Sequence, residues 1–293
     1  MRTRHVPARL ALATAFALVL GACGSTDGAP APAPAPSPEP APSEEPSDVV
    51  DDTAIVAVYV VRSAPTDFFV EPLPVRVPTV GDSLSAQVTA AVEALLALSA
   101  TTDEDLFTSV PEGTTLRRVS VDGRVVTLDL SGGIVGSSGS SAQERTFAQQ
   151  LAHTARVDAS IEAITLLLDG APVDTLWGHL DWSVPVDVDP FILSPVTITT
   201  PLPGEDVPVG SVTFRGQATV FEATVLMTLA DASGAIIRED FVTATAGAPE
   251  RGTWEWTVTL PDSGEYTIIA AESDPSGGEG RPPFAATRTV RAG

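Results

Sequence analysis

The chain of 293 residues contains a single cysteine, Cys23, and this feature constrains its fold more than any other. No intramolecular disulfide can form, so each folded domain must be stable through its hydrophobic core alone. Zinc sites built from clustered cysteines are excluded for the same reason. Hydrophobic residues make up 43% of the chain, enough for packed cores. The length allows two domains of ordinary size.

The chain is strongly acidic. It carries 38 Asp and Glu residues against 16 basic residues, all of them arginine, which gives a formal net charge of −22. A surface of this charge repels the phosphates of nucleic acids and anionic lipid headgroups. We therefore do not expect nucleic acid to be a partner.

The N-terminal segment has the order of an export signal. Three arginines precede or adjoin an apolar run over residues 10–20, which is shorter than the roughly 20 residues that cross a bilayer. The sequence Leu20-Gly21-Ala22-Cys23 then resembles a lipobox, in which small residues precede a cysteine that becomes lipidated. The alternative is an ordinary signal peptide with an incidental cysteine. We predict a signal peptide over residues 1–22 and a lipid on Cys23 that anchors the protein to the extracytoplasmic face of the cell membrane.

Residues 23–53 are rich in proline, with an Ala-Pro repeat over residues 29–36. Proline opposes helices and sheets and favours the extended polyproline II conformation. We predict a disordered linker that separates the folded part from the membrane.

Residues 54–187 alternate between strand and helix patterns. Strands are predicted at 55–61, 116–121, 124–130 and 161–168, and helices from Leu84 and over 142–157. The dipeptide Asp122-Gly123 predicts a hairpin between the two middle strands. The order β-α-β-β-α-β indicates a split βαβ domain of the α+β class, with a sheet covered on one face by two helices.

Residues 191–291 show no helix pattern. Seven short strand runs recur at roughly ten-residue spacing and are separated by turns rich in Gly, Pro, Asp and Ser. This pattern predicts an all-β immunoglobulin-like sandwich. The cysteine pair of antibody domains is absent.

Several motifs of the first domain resemble the GerMN domain, the module named after the spore-germination protein GerM. They are the turn Val110–Leu116, the Asp122-Gly123 hairpin, the strand Val126–Ser131, the helix Gln143–His153 and the segment Leu167–Val173. These motifs are mostly turns and core positions, so the resemblance implies the fold first. In the second domain, Gly216–Val225 with Asp231 and Gly234 resembles the Gmad2 immunoglobulin-like domain. The pair implies an envelope protein, in germination or surface assembly, without an established catalytic activity.

Catalytic motifs are scarce. His153, on the second predicted helix, and His179 are candidate general bases, but we interpret both as polar surface residues. Asp187 and Asp189 lie at the predicted domain junction and supply too few ligands for calcium. We expect no cofactor and no metal.

A possible partner surface involves the Gly/Ser loop that precedes the second helix, with Ser137, Ser138 and Ser140, and the tryptophans Trp177 and Trp182. The loop can cradle an anion at the helix N-terminus or can be merely flexible. The tryptophans can stack on sugars or a partner if exposed, or can form core or interdomain packing if buried.

These observations favour a non-catalytic surface lipoprotein that contacts peptidoglycan or other envelope proteins and that can self-associate through a sheet edge or its helices. An enzyme that cleaves peptidoglycan or its glycans is the first alternative, since acidic residues are abundant enough to supply a carboxylate pair. A small-solute binding lipoprotein is the second.

Overall fold

The computed structural model describes residues 53–65, 67–98, 105–274 and 277–293. The predicted signal peptide, Cys23 and nearly all of the predicted linker lie outside these residues. In the described part of the chain, no helix is long and apolar enough to cross a membrane.

The first domain opens with a long hairpin. Strands β1 (Thr53–Ser63) and β2 (Phe68–Pro78) pair antiparallel over their full lengths, and the short β3 (Leu106–Phe107) pairs with the other edge of β1. Only β1 is predicted by the sequence; β2 is an addition. It contains Pro72, Pro74 and Pro78, which all lie an even number of residues apart. Their nitrogens therefore point to the same side of the strand, and this is tolerated because β2 is an edge strand.

A second sheet contains β4 (Thr114–Asp122), β5 (Val125–Gly132), β6 (Ala163–Leu168) and β7 (Ala171–Pro172), and β8 (Val186–Asp187) also pairs with β6. The pair β5–β6 is parallel and its neighbours are antiparallel. Two-residue loops join the hairpins. Asp169 and Gly170 both have positive φ, 51° and 81°, as a type I′ turn requires.

The domain has two helices, one between β2 and β3 in the chain and the other between β5 and β6. α1 (Leu84–Leu96) is capped by Ser83, and α2 (Ser141–Ala155) is capped by Ser140. Both helices contact β1, while α1 also contacts β4 and α2 also contacts β6. The predicted order β-α-β-β-α-β is confirmed, but the strands form two sheets that the helices connect, because β1 pairs with β2 and β3 and not with β5.

The core of this domain comes from the inner faces of these elements. Its largest fully buried side chains are Leu95, Leu128, Leu130, Ile134, Phe147, Leu151, Ile161, Ile164, Leu166 and Trp182. On the second helix, Phe147, Ala148, Leu151 and Ala155 recur at helical spacing and are all buried.

The second domain is a β-sandwich. Its strands are β9 (Val196–Thr200), β10 (Asp206–Val207), β11 (Gly210–Ala218), β12 (Thr224–Asp231), β13 (Ile236–Thr243), β14 (Gly252–Leu260), β15 (Gly264–Glu272) and β16 (Ala285–Ala292). One sheet has the order β10-β16-β15-β12-β13 and the other β14-β11-β9. All seven predicted strands are present, and the two-residue β10 is an addition. Trp254 and Trp256 on β14 point into the core.

The two domains meet along β2 and the start of β9. Ser194 donates its backbone N–H to the carbonyl oxygen of Val70 at 3.0 Å and its hydroxyl to Glu71 at 3.0 Å. Glu71 in turn pairs with Arg62 at 2.8 Å. The rings of Phe69 and Phe284 meet edge to face, 5.3 Å apart. Polar and apolar contacts thus fix one domain against the other.

Candidate functional site

His153 is buried, with 4% of its surface exposed, so the prediction of a polar surface residue is wrong. Its Nε2 lies 2.9 Å from the backbone oxygen of Asp189, and its ring lies 5.1 Å from that of Tyr59. Burial lowers the pKa of His153 to about 4, with Arg156 and Arg251 acting in the same direction. The imidazole is therefore neutral near pH 7, and in the tautomer that matches this geometry Nε2–H donates to Asp189.

Two glutamines one turn earlier on α2 form hydrogen bonds with backbone groups that are distant in the sequence. Gln149 donates to the carbonyl oxygen of Asp187 at 2.9 Å and accepts from the N–H of Asp189 at 2.8 Å. Gln150 donates to the carbonyl oxygen of Tyr59 at 3.0 Å. α2 therefore fixes both strand β1 and the segment between the domains, which explains why its polar residues are buried.

A cleft opens between the two domains beside His153. It has a volume of about 320 Å³. The first domain contributes Tyr59, His153, Arg156 and Asp158, and the second contributes Gln217 and Arg251, among others. A neighbouring cavity of about 350 Å³ is also lined by Tyr59, His153 and Arg156. These three residues therefore stand between two adjoining spaces.

Arg251 forms the floor on the side of the second domain. Its guanidinium donates to the side-chain oxygen of Gln217, to the carbonyl oxygen of Ser194 and to the hydroxyls of Thr197 and Thr219, at 2.9 to 3.3 Å. Burial lowers its pKa. Within the described ranges, no carboxylate lies in salt-bridge distance of this cation. Its charge is thus held in place by neutral oxygens.

Arg156 and Tyr59 form the opposite side. Arg156 is exposed and donates through Nε to the carbonyl oxygen of Ile161 at 3.1 Å. Burial raises the pKa of Tyr59, while Arg251 and Arg156 act to lower it. Both arginines are therefore close enough to the phenol to affect its ionisation. In the part of the chain that the structure describes, the Tyr59 hydroxyl and the two terminal nitrogens of Arg156 have no hydrogen-bond partner.

The cleft brings together few of the groups that acid–base catalysis uses. Of the described residues, Asp158 is the one carboxylate that lines the cleft, and the ring of His153 is held through Nε2. Asp189, which we considered as a calcium ligand, caps a short helix and pairs with Arg145 at 3.2 Å. Among the described residues, no group of three or more His, Cys, Asp or Glu side chains is arranged to hold a metal ion. Sequence reasoning missed Tyr59, Arg156 and Arg251, since 97 residues separate the first two, 95 separate the last two, and no local motif links them.

The predicted partner surface lies elsewhere, at the N-terminus of α2. Trp177 donates through Nε1 to the hydroxyl of Ser137 at 2.9 Å, and its half-buried ring lies 5.4 Å from that of Phe147. Ser138 and Ser140 are exposed. Ser140 uses its hydroxyl to cap α2 by accepting from Gln143. The loop therefore satisfies one N–H group of the helix N-terminus, that of Gln143, with its own side chain.

Trp182 does not belong to an exposed surface. It is 1% exposed and packs in the core of the first domain, as the alternative of core packing predicts. Its Nε1 donates to the carboxylate of Glu144 at 2.9 Å. The same carboxylate accepts from the backbone N–H groups of Trp177 and His179. A buried acid thus organises the whole segment from 177 to 182.

Comparisons with known proteins identify both domains. Residues 57–174 match the Germane family, described as sporulation and spore germination. Residues 195–279 match Gmad2, described as the immunoglobulin-like domain of bacterial spore germination. No curated protein matches the chain.

Solved structures that resemble the chain include three of low identity. The first GerMN domain of the sporulation protein GerM from Bacillus subtilis is 14% identical, with 47% of this chain and 98% of that chain covered and a TM-score of 0.33. The tandem GerMN domains of the same protein are 11% identical, with 82% and 61% covered and a TM-score of 0.35. A candidate lipoprotein from Clostridium perfringens is 19% identical, with 47% and 89% covered and a TM-score of 0.33. The two family matches, in this order, establish that the chain carries a GerMN domain of the sporulation and germination type followed by a Gmad2 immunoglobulin-like domain.

Proposed function

We propose that the protein is a non-catalytic binding module of the bacterial envelope. In this proposal a lipid on Cys23 holds it at the extracytoplasmic face of the membrane, and the folded part contacts peptidoglycan or another envelope component. Both family matches concern sporulation and spore germination, which supports a place in the envelope. The observation that carries the proposal is the cleft between the domains, to which Arg156 and Arg251 contribute charge from opposite sides.

The contents of the cleft favour binding over hydrolysis of wall glycans. Glycoside hydrolysis generally uses two carboxylates that flank the bond to be cleaved. Asp158 has one oxygen occupied by the backbone N–H of Ser160 at 2.8 Å, and no second acid from the described part of the chain lines the same space. The fixed contacts between the domains also suit a rigid binding surface more than a closing active site.

Binding is tested with the untethered chain, residues 24–293, and purified peptidoglycan. We expect saturable retention on the wall material without release of soluble fragments. Retention should fall in the variant Arg156→Gln and should persist in Arg124→Gln, which removes the same charge from an exposed turn that does not line the cleft. Wall hydrolysis that a single Asp or Glu substitution abolishes would instead assign the protein to the enzyme class.

The anchor is tested separately by fractionation of cells. The unaltered protein should sediment with membranes, and Cys23→Ser should leave the membrane fraction. A Cys23→Ser variant that stays fully membrane-bound would contradict the lipid anchor.

A further inference from the structure

We infer that the cleft between the domains is a binding site for an oxyanion, the carboxylate or phosphate group of a small ligand or of a wall polymer. The inference rests on the proposed binding function and specifies its ligand chemistry. It depends on the arrangement of Tyr59, His153, Arg156 and Arg251, which line one space of about 320 Å³.

The first argument is charge. The chain is acidic, with a formal net charge of −22, and many of its arginines pair with a carboxylate. Across the described residues, neither Arg156 nor Arg251 has a carboxylate within salt-bridge distance. Both act on the ionisation of Tyr59 and of His153, so the two cations converge on the same place. An anion is the ligand class that such a pair attracts.

The acids near the cleft offset only part of this charge, because Glu71 interacts electrostatically with Arg251 and Asp158 with Arg156. Glu71 is paired with Arg62, and the side chain of Asp189 is paired with Arg145. Asp158 remains as the one carboxylate of the lining, against two arginines. The neutral imidazole of His153 adds no opposing charge.

The second argument is the supply of donors. The hydroxyl of Tyr59 and the terminal nitrogens of Arg156 make no hydrogen bond to the described residues, so they are available to a ligand. The planar fork of a guanidinium matches the two oxygens of a carboxylate or phosphate. Arg251 is already held by oxygens of Ser194, Thr197, Gln217 and Thr219, which orients its charge before any ligand arrives.

The third argument is size. Pockets for small ligands generally measure about 300–1,000 Å³, and the cleft, at about 320 Å³, lies at the lower end of this range. It therefore suits one acidic sugar, one phosphate ester or the end of a short peptide. A longer polymer would bind through one of its charged groups, with the rest of the polymer outside the cleft.

The test is calorimetric titration of residues 24–293 at low ionic strength with three probes. N-acetylmuramic acid carries a carboxylate, glycerol 3-phosphate carries a phosphate, and N-acetylglucosamine is the neutral counterpart of the first sugar. We expect at least one of the two acids to bind and the neutral sugar to fail. Binding of the carboxylate alone, or of the phosphate alone, identifies the source of the oxyanion. Failure of both acids, or equal binding of the neutral sugar, overturns the inference.

Variants locate the site. Arg156→Gln and Tyr59→Phe should each weaken binding of the acid by about tenfold, the loss of one charge-assisted or direct hydrogen bond. Arg124→Gln is the control for net charge and should bind like the unaltered protein. Thermal unfolding checks that each variant is folded. If both cleft variants bind the acidic probe as tightly as the unaltered protein does, the cleft is not the binding site and the inference is wrong. Wall retention that survives while the acids fail to bind would leave the proposed function standing and remove only this inference.

Discussion

The carboxylate of Glu144 accepts a hydrogen bond from the indole Nε1 of Trp182 at 2.9 Å, 38 residues later in the chain, and both side chains are buried. Backbone N–H groups of Trp177 and His179 donate to the same acid. One charged side chain on α2 thus fixes a segment without regular secondary structure. Its removal is the first substitution to make.

Glu144→Gln should lower the free energy of unfolding by about 3 kcal/mol, because hydrogen bonds to a charged group are worth about 1.5–3 kcal/mol each. The new amide group also places a donor against donors. Urea denaturation measures the change, and Glu93→Gln, at an exposed position of α1, is the matched control. A variant as stable as the unaltered protein would mean that the buried acid does not organise the segment.

Glu144 should also make the free energy of unfolding depend on pH. Burial by itself raises the pKa of Glu144, but the hydrogen bonds from Trp182, Trp177 and His179 outweigh burial and hold the pKa below its usual value. A carboxyl with a lowered pKa in the folded state stabilises above its unfolded pKa, and this stabilisation is lost as pH falls through the folded pKa. The stability difference between the unaltered protein and Glu144→Gln should therefore shrink in acid. A constant difference down to pH 3 would contradict this.

His153 should also make the free energy of unfolding depend on pH, in a range above that of Glu144. Its folded pKa is about 4, against a usual 6.5. Between these values the unfolded chain binds a proton that the folded chain does not, so stability falls as pH drops from 6.5 towards 4. The loss should reach about 3 kcal/mol, from about 1.36 kcal/mol per pKa unit.

His153→Gln keeps a side-chain N–H for the backbone oxygen of Asp189 and removes the titration. Its stability should change less with pH than that of the unaltered protein across this range. Denaturation at pH 8, where the imidazole is neutral in both states, supplies the reference for each protein. Parallel curves for the two proteins between pH 7 and pH 4 would show that His153 is not the group responsible.

Gly216 on β11 has no room for a side chain. A Cβ there would overlap the backbone oxygen of Thr197 and the ring of Trp254. Gly216→Ala should lower stability by about 3 kcal/mol or more, because the backbone of β9 must move. Gly81→Ala is the control, since the nearest heavy atom to its added Cβ is 3.6 Å away. Equal thermal unfolding midpoints for the two variants would contradict the packing described for β9, β11 and β14.

Ser194→Ala tests the contact between the domains. The buried hydroxyl donates to Glu71, and its loss should cost about 1 kcal/mol, the worth of an ordinary hydrogen bond. Ser211→Ala, at an exposed position of β11, should be neutral. Chemical denaturation of both compares them directly, and a neutral effect at Ser194 would mean that the hydroxyl does not hold the domains together.

The elements most faithfully predicted from sequence are those with regular patterns. Alternation on β14 and the helical spacing of Phe147, Leu151 and Ala155 give burial directly, because side-chain direction follows backbone geometry. β2 escaped prediction because its prolines oppose strand formation except at an edge, and an edge is a property of the assembled sheet. His153 escaped for a related reason. Its partner, the backbone oxygen of Asp189, lies 36 residues away and leaves no trace in the local sequence.

The candidate site was beyond prediction in the same way. Tyr59 lies on β1, Arg156 follows α2 and Arg251 precedes β14, so only the packed arrangement of both domains brings them together. Cys23 and the loop serines form recognisable local motifs. A cleft assembled from three distant segments does not.

The three prolines of β2 have a consequence for neighbouring molecules. A strand approaching the open side of β2 finds no N–H donor at Pro72, Pro74 or Pro78, and these are the positions from which a ladder would have to extend. The proposed lipid on Cys23 would hold molecules side by side on one membrane, where they meet far more often than in dilute solution. At such density, an exposed edge strand with free N–H groups would pair with the edge strand of a neighbouring molecule. The prolines of β2 prevent this pairing at that edge.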